Sequence, residues 1–230
     1  MLIIFDLDDT LIDTSGSIIP GLLKNALHAM YKEGLEFADF DHAYQQLLHY
    51  DRNHISSRKA LLEFLEIYQA PKACYEAGIH EIYGAPSYHD PIHPVGDAIE
   101  TLQELAESYQ LALVTKGKES IQKEKMRRAN IPIKLFSYLC FCEGGCLASE
   151  EKKFFYKSIG KEIGISPSQV LVCGDRISMD LAPAKELGYK TVQMKWGRGL
   201  GNTGLKRDVD YTILHLSELK PIVQAVKIMS

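Results

Sequence analysis

Residues 2–13 read LIIFDLDDTLID: four apolar residues run straight into three carboxylates, Asp6, Asp8 and Asp9. Five more short apolar runs follow, LALVT (111–115), YLCFC (138–142), VLVC (170–173), TVQM (191–194) and YTIL (211–214). Helical spacing separates them. Val95, Ala98, Ile99, Leu102, Leu105 and Ala106 fall on one helical face, and Phe155, Ile159 and Ile163 form a shorter stripe ended by Gly164 and followed by Pro167. Strands that are apolar throughout and alternate with helices predict a parallel sheet covered on both faces, a doubly wound, Rossmann-like α/β core.

Residues 17–88 break this rhythm. They hold helical patterns, such as Ile19, Leu22, Leu23, Ala26, Leu27 and Met30 and then Leu61, Leu62, Leu65 and Tyr68, but no convincing strand. The breaker-rich stretch GAPSYHDPIHPVG (84–96) closes the segment. The expected organisation is a core of residues 1–16 and 89–230 with an all-helical domain, 17–88, inserted after the first strand and its turn. A chain of 230 residues is long enough to bury such a core.

Composition narrows the partners. With 46% hydrophobic and 24% charged residues and a net charge of −4, nothing draws the chain globally to nucleic acid or to an anionic membrane, so an acidic ligand must be held locally. The opening apolar run is too short for a signal peptide, and no stretch approaches the roughly 18 apolar residues of a membrane span. A cytoplasmic protein, monomeric or homodimeric, is expected. Five unevenly spread cysteines, Cys74, Cys140, Cys142, Cys146 and Cys173, suggest no disulfide framework, and the trio 140, 142 and 146 lacks a fourth zinc ligand at familiar spacing. GLGNTG (199–204) spells a dinucleotide fingerprint, but the charged LKRDVD that follows is too short for the helix such a loop must open.

In open α/β sheets, ligands bind beyond the carboxyl ends of the strands. Asp6 and Asp8 stand there after the first strand, Thr115 with Lys116 and Gly117 after the second, and Asp175 after VLVCG, with Asp180 a helical turn later. Lys152 and Lys153 open a helix upstream of that strand. Two acids about 4 Å apart repel by roughly 4 kcal/mol at an effective dielectric near 20, so a cluster of four requires a cation.

This set resembles the haloacid dehalogenase-like hydrolase superfamily over nearly the whole chain. DLDDT (6–10) is similar to its first motif, Thr115 to its second, a lysine at 152 or 153 to its third, and GDRISMD (174–180) to its fourth. The helical insertion resembles the cap of one branch of that family. The resemblance implies a Mg2+ ion held by Asp6, the backbone carbonyl of Asp8 and Asp175, with Asp180 orienting or supplementing them. It further implies that Asp6 attacks phosphorus to give an aspartyl phosphate, that Asp8 serves as acid and then base, and that Thr115 and the lysine hold the phosphoryl oxygens. An acid at position 8 argues for phosphate ester hydrolysis over halide removal. Asp9 stands where a glycine is common in the family, and no Lys-Pro pair marks the third motif. Lys152 is preferred to Lys153 because it shares a face with Phe155, Tyr156 and Ile159.

Arg52 and Arg58, in DRNHISSRK (51–59), are either a solvated helix face or readers of the leaving group beside Lys116. The reading is thus a magnesium-dependent phosphatase acting on a small phosphorylated metabolite. Its rivals are a catalytically silent module that binds a phosphorylated ligand or protein partner and, within the family, a phosphomutase.

Overall fold

All six apolar runs form strands of one sheet. They are β1 (Leu2–Phe5), β2 (Gln110–Lys116), β3 (Phe136–Cys142), β4 (Val170–Gly174), β5 (Lys190–Met194) and β6 (Tyr211–Ile213). Every pairing is parallel, in the order β3-β2-β1-β4-β5-β6. The structure, a computed structural model, describes residues 1–54, 56–84, 86–144, 147–201 and 204–229. Its helices, in chain order, are α1 (Thr14–Ser17), α2 (Ile19–Lys32), α3 (Phe40–Asn53), α4 (Ser57–Ile67), α5 (Lys72–Ile79), α6 (Ala98–Ala106), α7 (Glu119–Arg128), α8 (Ala148–Ile163), α9 (Ala182–Glu186) and α10 (Leu219–Met229). Among the described residues no helix is long and apolar enough to cross a membrane.

The chain divides into two units, Met1–Asp13 with His93–Ser230, and Thr14–Ile92. The division falls a few residues from the composition breaks near 16 and 88, and backbone pairing marks where the sheet unit leaves off and resumes. Ile12 bridges Pro94, and the amide of Asp13 donates to the carbonyl of His93 at 2.9 Å, so the chain stays stitched to the sheet unit as far as residue 13 on one side and from 93 on the other.

In the sheet unit β1 is central and fully buried along LIIF, the environment that its all-apolar sequence demands. Leu2, Ile4, Ala112, Val114, Val170 and Val172 form one face of the core with Tyr156 and Ile159 of α8. Register sets Phe5 beside Leu113 of β2 and Cys173 of β4, so the carboxyl ends of these three strands open side by side. Strand order reverses here, with β2 on one flank of β1 and β4 on the other. That crevice is where an open α/β sheet places its ligand. Helix α6 starts at Ala98 rather than at Val95, because the Val95 amide is bonded to the Leu11 carbonyl (2.9 Å) and Gly96 turns the chain at φ 42°. Helix α8 ends as its sequence requires, on Gly164 in the left-handed region (φ 68°).

The helical unit contains α1–α5 and a π-helical turn, His80–Gly84, and no strand among its described residues. Ile19, Leu22, Leu23, Ala26, Leu27 and Met30 are the buried stripe of α2. Asp39 and Ser56 cap α3 and α4 by accepting from the amides of His42 (2.7 Å) and Lys59 (3.4 Å). Gly78 lets α5 lie close to α2, since a Cβ there would sit 3.0 Å from Met30 Sδ.

Candidate active site

Asp6 follows β1, Asp175 follows β4, and Asp180 sits in a π-helical turn, Ile177–Leu181, that follows at once. All three are buried, and a carboxylate oxygen from each lies within 4.8 Å of the other two. Lys152 enters from α8 with 1% of its surface exposed. Its ammonium donates to Asp6 Oδ1 and to Asp180 Oδ1, each at 2.5 Å. Lys153, one position on, instead pairs with Glu186 at the surface. The helical face that carries Tyr156 and Ile159 inward therefore carries Lys152 with them.

Asp180 has both oxygens engaged, the second accepting from the amide of Arg176 at 2.9 Å. It ties the lysine to the turn that presents Asp175. The close approach depends on Gly174, where a Cβ would lie 2.6 Å from the Asp180 Cβ. Gly174→Ala is expected to displace Asp180 and with it Lys152, lowering kcat by about 10²-fold while far-ultraviolet circular dichroism stays that of the wild type. Steady-state kinetics beside a circular dichroism spectrum checks this.

Burial and mutual repulsion shape the charges. Burial, helped by Asp180 and Asp8 and opposed by Lys152, raises the carboxyl of Asp6 to about 7. Burial, with Asp180 and Asp6, also lifts Asp175 well above the ordinary range. Burial disfavours the ammonium of Lys152, yet the carboxylates of Asp180 and Asp6 outweigh it and keep the lysine charged. The thiols of Cys142, pushed up to about 12 by burial, and of Cys173, also raised by burial, stay neutral. Four cysteines, Cys74, Cys140, Cys142 and Cys173, are free, while Cys146 lies outside the described residues.

Three clustered carboxylates thus have one ammonium, bonded to Asp6 and Asp180, with the Arg176 guanidinium at 3.8 Å from Asp175 as a weaker second cation. The surplus negative charge and the oxygen-only donor set suit a hard divalent cation, with Asp6 and Asp175 the members best disposed to hold it.

Asp8 turns away from this cluster toward α7. Lys125 Nζ donates to its Oδ1 at 2.7 Å, and Gln122 Nε2 donates to its Oδ2 at 2.9 Å. The same amide donates to the hydroxyl of buried Thr115 at 2.8 Å. Lys116, next along β2, is exposed. Asp9 adopts φ 56°, the left-handed region, which explains why glycine suits this position and why aspartate, one of the few other residues tolerant of it, can replace it. Its buried carboxylate accepts from the amide of Arg198 at 3.4 Å. That loop holds the glycine-rich stretch, of which Asn202 and Thr203 lie outside the described residues. Gly199 is there for close packing, since a Cβ would come 2.6 Å from the Met194 carbonyl. Arg52 and Arg58 belong to the helical unit, Arg58 lying 4.6 Å over the ring of Tyr83.

Residues 1–188 match the haloacid dehalogenase-like hydrolase family. The chain belongs to that family. It is 31% identical over 232 residues, 96% of this chain and 92% of the relative, to a glyceraldehyde 3-phosphate phosphatase of Pyrococcus furiosus. A protein of the same description from Methanocaldococcus jannaschii is 31% identical over 235 residues, 98% of this chain and 97% of its own. A crystal structure described as a predicted phosphoglycolate phosphatase from Haemophilus somnus superposes with a TM-score of 0.71 at 19% identity, covering 97% of each chain, and attests the fold. This member of the haloacid dehalogenase-like hydrolases is an enzyme of the phosphoric monoester hydrolase class.

Gln122 and Lys125 are not legible as site residues in the sequence. They sit in KESIQKEK (118–125), where polar residues read as a solvated helix. Their spacing of three, on the helix directly after Thr115, is the one signal that could have singled them out.

Proposed function

We propose that this enzyme hydrolyses a small phosphorylated metabolite through an aspartyl phosphate on Asp6, in a magnesium-dependent reaction. The observation that carries the reading is the buried meeting of Asp6, Asp175 and Asp180 at the strand-order reversal, with the Lys152 ammonium bonded to Asp6 and Asp180. The first substrate to test is glyceraldehyde 3-phosphate, the compound in the description of the curated relatives.

In the first half-reaction an Asp6 oxygen bonds to phosphorus as the bond to the leaving oxygen breaks, and the Asp8 carboxyl gives its proton to that oxygen, releasing the alcohol. In the second, the Asp8 carboxylate takes a proton from a water whose oxygen bonds to phosphorus. The bond to Asp6 then breaks and phosphate leaves. Lys152 and the Thr115 hydroxyl hold the phosphoryl oxygens, and Asp180 keeps Lys152 in place. Mg2+, held by Asp6, the Asp8 carbonyl and Asp175, would supply charge neutralisation for both carboxylate and phosphate. The free thiols suit a reducing compartment such as the cytoplasm.

A screen of phosphorylated metabolites tests this, with phosphate release expected in Mg2+ and none after chelation. Because the ion would bind the folded chain alone, Mg2+ at about a hundredfold over its Kd should add roughly 2.7 kcal/mol, raising Tm by about 5–10 °C. No release from any compound in Mg2+, with no rise in Tm, would refute the reading.

A further inference from the structure

Two residues of α7 are more deeply engaged than a surface helix requires. Gln122 is 1% exposed, and the Lys125 side chain is 12% exposed although a lysine so placed could reach water. The neighbouring bases pair outward, Lys123 with Glu119, and Arg127 and Arg128 with Glu124. Lys125 turns inward to Asp8. Gln122 reaches three acceptors with one amide group: Asp8 Oδ2, the Thr115 hydroxyl and the Lys116 carbonyl, at 2.9, 2.8 and 3.1 Å. Carboxylate and carbonyl only accept, so it is the nitrogen of the amide that faces the site. Gly117, at φ 139°, makes room, since a Cβ there would press on Gln122 Cδ at 3.2 Å.

We propose that Gln122 and Lys125 are positioning residues that aim the Asp8 carboxyl at the leaving oxygen. The proposal rests on the phosphatase reading above. The Asp8 side chain is 29% exposed, and these two bonds hold it on the α7 side. One donor on each oxygen fixes the plane of the carboxyl group. A carboxyl oxygen has two lone pairs, so a carboxyl group can carry the proton destined for the substrate while it accepts from both donors. Through its contact with Thr115, Gln122 also sets the acid at a constant distance from the hydroxyl that holds the phosphoryl group.

The test compares two leaving groups on the same sample. An alkoxide needs a proton to leave and a nitrophenolate does not, while kcat/KM reports only steps up to cleavage of the ester. For Lys125→Met and Gln122→Leu, kcat/KM is expected to fall about 10²-fold on the alkyl phosphate that the wild type turns over best, and under about threefold on p-nitrophenyl phosphate. Rapid mixing with p-nitrophenyl phosphate should then show a burst of nitrophenol, because hydrolysis of the aspartyl phosphate still needs Asp8 as base. The ratio of the two substrates does not depend on how much of a variant is folded. Equal losses on both substrates, or no loss on either, would overturn the positioning role and leave the phosphatase reading standing. A wild type that releases phosphate from neither would overturn both.

Discussion

Lys152→Met is expected to destabilise the fold by about 3–5 kcal/mol and to abolish turnover. The ammonium is the shared partner of Asp6 and Asp180, and all three are buried. Removing one partner of a buried ion pair leaves the other charges uncompensated, which accounts for the magnitude. The loss should depend on pH. Asp6 escapes the penalty by taking a proton, so in the variant its folded-state pKa stands above the value of about 7 that it has beside Lys152. Stability linked to such groups is present at low pH and is lost as pH rises through the folded value. Because the Asp6 carboxyl of wild type is itself raised to about 7, the deficit relative to wild type should shrink as pH falls from about 9 to about 7 and stay level below, as urea unfolding at each pH would record. Adding Asp180→Asn should recover part of the stability, the two sites being in contact, and none of the activity. A deficit as large at pH 7 as at about pH 9 would show that packing, not charge, sets the effect.

Asp6→Asn should behave in the opposite way. The amide is isosteric, removes a buried carboxyl already raised to about 7, and leaves Lys152 its bond to Asp180. Tm at neutral pH is expected to hold or rise, while phosphate release falls at least about 10³-fold for want of a nucleophile. A variant that kept a tenth of the activity would exclude Asp6 as the attacking group.

The sheet was legible because parallel strands are buried on both faces and must be apolar throughout, so LIIF, LALVT and VLVC could hardly be anything else. The preference for Lys152 over Lys153 also rested on simple geometry, a helical face fixed by Tyr156 and Ile159. Helix periodicity extended α6 too far, because Val95 keeps the apolar spacing while Gly96, at φ 42°, turns the chain before the helix begins. The partners of Asp8 stayed hidden for a different reason. Gln122 and Lys125 are as polar as the surface residues around them, and the room that Gly117 leaves for Gln122 appears only once the strand ends and α7 are packed together. The π-helical turn carrying Asp180 leaves no mark in composition either, although the order Asp175 then Asp180 does.

In the proposed mechanism Asp6 carries phosphorus covalently. Enzyme mixed with 32P-labelled substrate in Mg2+ and quenched in acid within milliseconds should retain label on the peptide that contains DLDDT (6–10), stable in acid and released by hydroxylamine, as an acyl phosphate must be. A turning-over enzyme with no trapped label at any quench time, or with label on a peptide lacking Asp6, would contradict the account.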